Sequence, residues 1–281
     1  MKVWVGHGAE GALVEQDAAR VSVFDHGFTV ADGIFETMKI VDGRVFLWQW
    51  HLERLHHSAA VLGLSLPNDE HLTSVVRDVA RANAIAGNGR LRLTITGGDG
   101  PLGSDRSGSA VSVVCAASSS KAWPATAQLH IADWPKNEHS PLVSAKSTSY
   151  AENVLALERA HAAGASEAVF FNTAGHLTEG TGSNVFVVRS GVALTPRLAD
   201  GLLAGITRRF VVALGDASIR IEEATIARSD LDAADEVFLT SSTRDIQVVD
   251  RVDGRAYGVG PVATELQRRF AAAAGADWCW L

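Results

Sequence analysis

At 281 residues the chain is long enough for two modest domains or one large α/β unit. Its 47% hydrophobic and 20% charged residues exclude a disordered chain or a coiled coil. A formal net charge of -7 argues against the basic face that nucleic-acid phosphates require, so no nucleic-acid partner is expected.

Cys115 and Cys279 lie far apart and outside any CxxC spacing, which predicts neither a disulfide framework nor a zinc site and points to a reducing compartment. The start, MKVWVGHGAE, carries no apolar stretch of signal-peptide length, and no run reaches transmembrane length. A cytoplasmic protein with no membrane partner is therefore expected. KVWVG and GRVFLW are short β-rich segments, whereas WQWHLERLHHSAAVLG has helical spacing at Leu52, Leu55, Ala59 and Leu62. Arg54 falls off that apolar stripe, as a solvated charge does. RLRLTITGG alternates like a strand, and SAVSVVCAA offers it a partner.

The composition then shifts to SSSKAWPATA (118–127), rich in Ser and Ala with one Pro. This predicts a smaller α+β domain over 1–118, a linker over 119–126 and a larger β-rich domain over 127–281. Beyond the linker, SYAENVLALERAHAAGA predicts a helix with Tyr150, Val154, Leu157 and His161 on one stripe. Ser149-x-x-Glu152 reads as its capping box and Gly164 as its end. Two hairpin-like pairs follow, SEAVFFNTAGHLTEG and SNVFVVRSGVALTP, each with Gly at the turn. GITRRFVVALG reads as a helix, and DEVFLTSSTRDIQVV as strand, break, strand.

GDGPLG (98–103) spells GxGxxG after a strand, but Pro101 and a loop stand where a dinucleotide site needs a helix. His51, His56 and His57 share a helix without metal-ligand spacing, so no metal is expected. Lys146, in LVSAKSTSYAEN, is an ordinary lysine taken singly. An amine approached by apolar and small residues can nevertheless be desolvated enough to form a Schiff base. A pyridoxal-phosphate site demands three things: a lysine for the aldehyde, an acid for the pyridine nitrogen and donors for the phosphate. Glu179, in HLTEGTGSN, follows a strand and precedes a glycine-rich bend. Gly205-Ile206-Thr207 opens a helix whose free N–H groups can meet a phosphate. Ser241, Ser242 and Thr243 form a second hydroxyl-rich break, and Arg54 offers a bidentate phosphate contact.

Taken in order, FDHGFTVADGIFET (24–37), HLERL (51–55), SAKSTSYAEN (144–153), LTEGTGSNVF (177–186), GITRRF (205–210) and DEVFLTSSTRDI (235–246) resemble the fold-type IV pyridoxal-phosphate family, the class IV aminotransferases. The resemblance spans nearly the whole chain. It implies a two-domain α+β enzyme with pyridoxal 5′-phosphate as cofactor, a small amino compound as substrate and a homodimer as the assembly. Residue by residue, it implies that Lys146 bonds to the cofactor and that Glu179 pairs with its pyridine nitrogen. Arg54, Ile206, Thr207, Ser241 and Ser242 match the phosphate positions. Tyr150 matches a tyrosine near the phenolic oxygen, one residue closer to the lysine than in branched-chain enzymes.

Within the family, FDHGF, HLERL with its preceding tryptophan, GITRRF and the loop TGGDGPLGSDR look most like bacterial 4-amino-4-deoxychorismate lyases, with Thr37 implied as a proton relay. The leading expectation is that lyase, which releases pyruvate and p-aminobenzoate in folate biosynthesis. The alternative is an aminotransferase acting on branched-chain or D-amino acids, which TSSTRDI and the terminal DWCWL resemble. Phe35 stands where D-amino-acid aminotransferases carry tyrosine, and Gly97 where they carry an arginine. Arg92 and Arg244 are candidates for the substrate carboxylate. A non-catalytic protein that keeps the fold is the third reading.

Overall fold

The computed structural model describes residues 1–106 and 108–281. They form two compact units: Met1–Ala122 with Ala145–Ser149 and Asp277–Leu281, and Trp123–Ser144 with Tyr150–Ala276. The lysine-bearing stretch and the last five residues thus fold with the first unit, whereas the sequence assigned all of 127–281 to the second. The reason is strand edge pairing. Ser147 bridges Ile34 and Trp280 bridges Phe46, so both stretches complete backbone hydrogen bonds of the first unit.

The first unit has a six-stranded sheet in the order β2-β1-β6-β5-β3-β4. Its strands are β1 (Lys2–His7), β2 (Glu10–Glu15), β3 (Gly33–Val41), β4 (Arg44–Val45), β5 (Asn88–Thr96) and β6 (Ser112–Ser119). A single turn, α1 (His26–Thr29), is capped by the Asp25 carboxylate, which accepts from the Gly27 N–H at 2.8 Å. Two helices, α2 (Trp48–Leu62) and α3 (Asp69–Asn83), supply the rest of the core. β5 alternates as expected, with Leu91, Leu93 and Ile95 fully buried. GRVFLW is a strand only at Arg44–Val45. Leu47 then takes φ 53 and the chain turns into α2. The buried face of α2 is wider than its aliphatic stripe, because His51, Arg54 and Ser58 are buried with Leu52 and Leu55. Arg54 is therefore no solvated charge. It has a carboxylate partner on β3.

The second unit has a nine-stranded sheet. Its strands are β7 (Thr126–Ile131), β8 (Glu167–Phe171), β9 (Leu177–Gly180), β10 (Asn184–Arg189), β11 (Val192–Pro196), β12 (Ile221–Ala224), β13 (Glu236–Ser241), β14 (Asp245–Val252) and β15 (Arg255–Ala256). The order is β12-β11-β10-β13-β14-β7-β8-β9, with β15 on β14. β9 also bridges β10 through Glu179 and Asn184, so the strands from β10 round to β9 close on themselves. Both predicted hairpins are present, and Ser190 (φ 50) and Gly191 (φ 79) make the β10–β11 turn with two successive left-handed residues.

Four helices accompany this sheet: α4 (Ala151–Ala162), α5 (Ile206–Val212), α6 (Arg228–Asp232) and α7 (Pro261–Ala274). α7 starts against buried Glu236, whose carboxylate accepts from the Val262 and Ala263 N–H groups at 3.0 and 2.8 Å. α4 departs from its expected form in two ways. Its N-cap is Tyr150 and no side chain caps it, so the Ser149-x-x-Glu152 box does not form. Its buried face is Ala156 and Ala160, packed on Ala168 and Phe170, while Val154 is exposed. Small residues let the helix approach the sheet closely, which a Val or Leu stripe would prevent. No helix among the described residues is long and apolar enough to cross a membrane.

Candidate active site

The placement of Lys146 follows from what β4 leaves uncovered. β4 pairs only with Ile40 and Val41, so the outer edge of β3 at Gly33–Phe35 is open to another segment. Residues 146–148 take it. The Phe35 N–H donates to the Lys146 carbonyl at 2.9 Å, and the Thr148 N–H donates to the Gly33 carbonyl at 2.8 Å. The Lys146 N–H donates to Ser58 Oγ on α2 at 3.0 Å. The lysine backbone is thus fixed from two sides. Its Nζ lies 4.4 Å from the centre of the Phe35 ring, and the exposed Arg92 guanidinium lies 3.6 Å from the same centre. Arg92 and Thr37 are register partners across β3 and β5, and Thr37 shares the Phe35 face of its strand. This face therefore gathers Lys146, Phe35, Thr37 and Arg92.

The opposite face of β3 carries Glu36, fully buried in line with Ile34 and Met38. Its Oε1 accepts from Arg54 Nε at 2.8 Å, and its Oε2 accepts from Arg54 Nη2 at 2.6 Å. His51 Nδ1 lies 2.6 Å from the same Oε2. Burial pushes the Glu36 carboxyl up, but the charge and hydrogen bonds of Arg54, helped by His51, outweigh it and bring the pKa down to about 2. Burial lowers the pKa of His51. Glu36 pulls it back up, but Arg54 and Lys146 add to the downward push.

Gly97 contributes backbone only. Its N–H donates to the Asp32 carbonyl at 2.9 Å, and a Cβ there would lie 2.5 Å from Asp32 Oδ2. That carboxylate is already clamped by Arg106, through Nε at 2.7 Å and Nη2 at 2.5 Å.

In the second unit Glu179 sits at the β9–β10 closure. It accepts from Lys136 Nζ, from the Leu203 N–H at 3.0 Å and weakly from Asn184 Nδ2 at 3.5 Å. Burial disfavours the Lys136 ammonium, yet the charge and hydrogen bond of Glu179 outweigh it and raise the pKa, with Tyr150 adding to the rise. Tyr150 is half-buried at the head of α4. Ile206 and Thr207 are buried in the first turn of α5, whose N-cap, Gly205, offers no side chain. A Cβ at Gly205 would lie 1.8 Å from Asn184 Oδ1, so only glycine fits. Ser241 ends β13, and its carbonyl and hydroxyl accept from the Arg244 N–H at 3.2 and 3.3 Å. Ser242 follows in the turn to β14, half-buried like Ser241. The hydroxyls of Thr240 and Ser183 are buried without a partner among the described residues.

Arg244, a candidate for the substrate carboxylate, is engaged by side chains of its own unit. Its guanidinium donates to Glu167 and Gln247, each at 2.5 Å, and stacks 3.7 Å from the Trp123 ring centre. Its side chain is buried in an ion pair with Glu167, which in turn accepts from Thr181 Oγ1 and the Gly182 N–H. Three residues of this arrangement escaped the sequence reading. Glu36 had a signal, a lone carboxylate among the alternate apolar positions Ile34, Met38 and Ile40. His51 stands three residues before Arg54 on one helix face, whereas nothing local marks Lys136.

The family model described as amino-transferase class IV matches residues 33–252. The chain belongs to this family. Among curated relatives, this class IV aminotransferase is 34% identical to a putative branched-chain-amino-acid aminotransferase of Methanocaldococcus jannaschii, over 96% of this chain and 95% of that one. It is 31% identical to the D-alanine aminotransferase of Bacillus licheniformis, over 89% of each. Among solved structures, the branched-chain aminotransferase of Thermoproteus uzoniensis with norvaline matches with TM-score 0.91 and 32% identity, covering 98% of this chain and 94% of that one. A hypothetical aminotransferase of Mycobacterium tuberculosis, in its PLP-bound form, gives TM-score 0.87 and 25% identity over 99% of this chain and 100% of that one. A putative 4-amino-4-deoxychorismate lyase of Legionella pneumophila gives 0.83 and 26% over 92% and 96%.

Proposed function

We propose that this protein is a pyridoxal-phosphate aminotransferase acting on branched-chain amino acids. The observation that carries the reading is the similarity to branched-chain aminotransferases over almost the entire chain, stronger than that to the lyase. It reverses the order expected from the sequence, where the lyase led. The residues fit the cofactor. Lys146 has a fixed backbone and an amine beside an aromatic face, Glu179 is a buried carboxylate, and α5 begins with N–H groups that no side chain caps. The buried hydroxyls of Thr240 and Ser183, without partners among the described residues, add unused hydrogen-bonding capacity beside β9 and β10.

In this reading, which follows the family resemblance residue by residue, Lys146 would hold the cofactor through its aldehyde carbon, Glu179 through its pyridine nitrogen, and Arg54, Ile206, Thr207, Ser241 and Ser242 through its phosphate. Tyr150 would be the residue that meets the phenolic oxygen. The cofactor supplies an electron sink for the bond broken at the amino-bearing carbon. Lys146 Nζ, held over the Phe35 ring, is the base that takes the proton from that carbon. Lys136 balances the charge of Glu179 where water is scarce. Arg92, exposed and stacked on Phe35, is the candidate for the substrate carboxylate. Gly97 cannot carry the arginine of D-amino-acid enzymes without displacing Asp32, which disfavours that substrate class. The same reading includes a homodimer in the cytoplasm.

The lyase remains the second reading, favoured by Thr37 on the lysine-bearing face of β3. A substrate panel separates them. Purified protein with the cofactor and 2-oxoglutarate is expected to convert L-isoleucine or L-valine to the keto acid and glutamate. Release of p-aminobenzoate and pyruvate from aminodeoxychorismate, with no turnover of either amino acid, would reverse the assignment.

A further inference from the structure

We propose that Glu36 is a positioning residue for phosphate binding, holding Arg54 in one orientation with His51 as a brace. The inference rests on the reading of Arg54 as a phosphate ligand. Glu36 occupies an inward position of β3, fully buried and flanked by Ile34 and Met38, where an apolar residue would pack without cost. A buried carboxylate is tolerated only when its oxygens are fully engaged. Here both are, because Oε1 takes Arg54 Nε at 2.8 Å and Oε2 takes Arg54 Nη2 at 2.6 Å.

Two parallel contacts fix both the plane and the rotation of a guanidinium, which a single contact does not. They also fix which edge of Arg54 meets Glu36, and hence the directions available to its remaining N–H groups. His51 Nδ1, 2.6 Å from Oε2, restrains the carboxylate from the same helix one turn earlier. Its depressed pKa agrees with a neutral ring that donates one hydrogen and adds no third charge. Glu36 weakens the net charge offered to a phosphate and in exchange removes the rotational freedom of the arginine. Its side chain faces away from the Phe35 and Lys146 side of the strand, so its effect on the cofactor acts through Arg54.

The test compares pyridoxal phosphate with pyridoxal, which lacks the phosphate, as ligands of the full chain freed of cofactor. Equilibrium binding and thermal stability are measured for wild type, Glu36→Gln and Arg54→Gln. Glu36→Gln is expected to weaken pyridoxal-phosphate binding by about tenfold while leaving pyridoxal binding unchanged, a loss equivalent to one charge-assisted hydrogen bond. Equal weakening of both ligands, or of neither, overturns the proposal. If Arg54→Gln leaves the preference for the phosphorylated ligand intact, the phosphate reading of Arg54 fails. If Arg54→Gln lowers that preference and Glu36→Gln does not, only the positioning role fails. Should Glu36→Gln not fold, His51→Gln is expected to lower the preference about threefold through the same contact, and an unchanged preference overturns the proposal.

Discussion

Replacing Lys136 by methionine keeps an unbranched apolar stem and removes the ammonium that faces Glu179. The two side chains are 19% and 10% exposed, so the pair lies between a surface and a fully buried ion pair. Removing one partner of a buried pair costs about 3–5 kcal/mol, and an exposed pair is worth less than about 1 kcal/mol. Glu179 would keep the Leu203 N–H at 3.0 Å and the weak Asn184 contact at 3.5 Å. A loss of about 2 kcal/mol at neutral pH follows from these bounds. The pH dependence has a definite sign. The folded protein holds the Lys136 pKa above its ordinary 10.5, so the stabilisation is complete below 10.5 and lost as pH climbs through the folded value. Urea unfolding of the cofactor-free protein, in matched series of wild type and Lys136→Met, measures this directly, with Lys136→Arg expected to retain most of the stability. Equal urea midpoints at neutral pH would refute the reasoning, as would a difference that persists unchanged into strongly alkaline solution.

On the acid side, Glu36 falls from an ordinary 4.5 to about 2, which corresponds to about 3 kcal/mol of stability. That stability is present above 4.5 and lost as pH drops toward 2, so the gap in urea midpoint between wild type and Glu36→Gln should close across that window. Arg244→Met leaves Glu167 buried with only Thr181 Oγ1 and the Gly182 N–H as donors. It is expected to lower stability by about 3 kcal/mol while leaving the KM for a keto acid within about twofold in differential scanning and steady-state assays. A large rise in KM without loss of stability would restore Arg244 as a substrate ligand.

The elements most legible in the sequence are those whose signals are local. The β10–β11 turn needs two left-handed residues and shows Ser190-Gly191, and α2 runs from Trp48 to a Gly63 cap at φ 67. Periodicity found the Leu52, Leu55 and Ala59 face of α2 but could not include Arg54, because its burial depends on a carboxylate eighteen residues earlier on another element. The same limit hid the assignment of Lys146 to the first unit, which depends on how much of the β3 edge the short β4 leaves uncovered. For α4 the apolar stripe misled, since the sheet selects side chains for close approach and takes Ala156 and Ala160 over Val154. Nor could the sequence show that Arg244 pairs with Glu167, a partner 77 residues away that no spacing rule connects to it.

The central claim is a covalent one, and two half-buried lysines offer a sharp contrast for testing it. Lys136 is ion-paired with Glu179 and its pKa is raised, whereas Lys146 stands against the Phe35 ring with its backbone fixed by β3 and Ser58. Borohydride reduction of the protein with pyridoxal phosphate, followed by proteolysis and mass spectrometry, is expected to place the reduced adduct on Lys146 and to give none in Lys146→Ala. An adduct on Lys136 or elsewhere, or no adduct in wild type, would contradict the account.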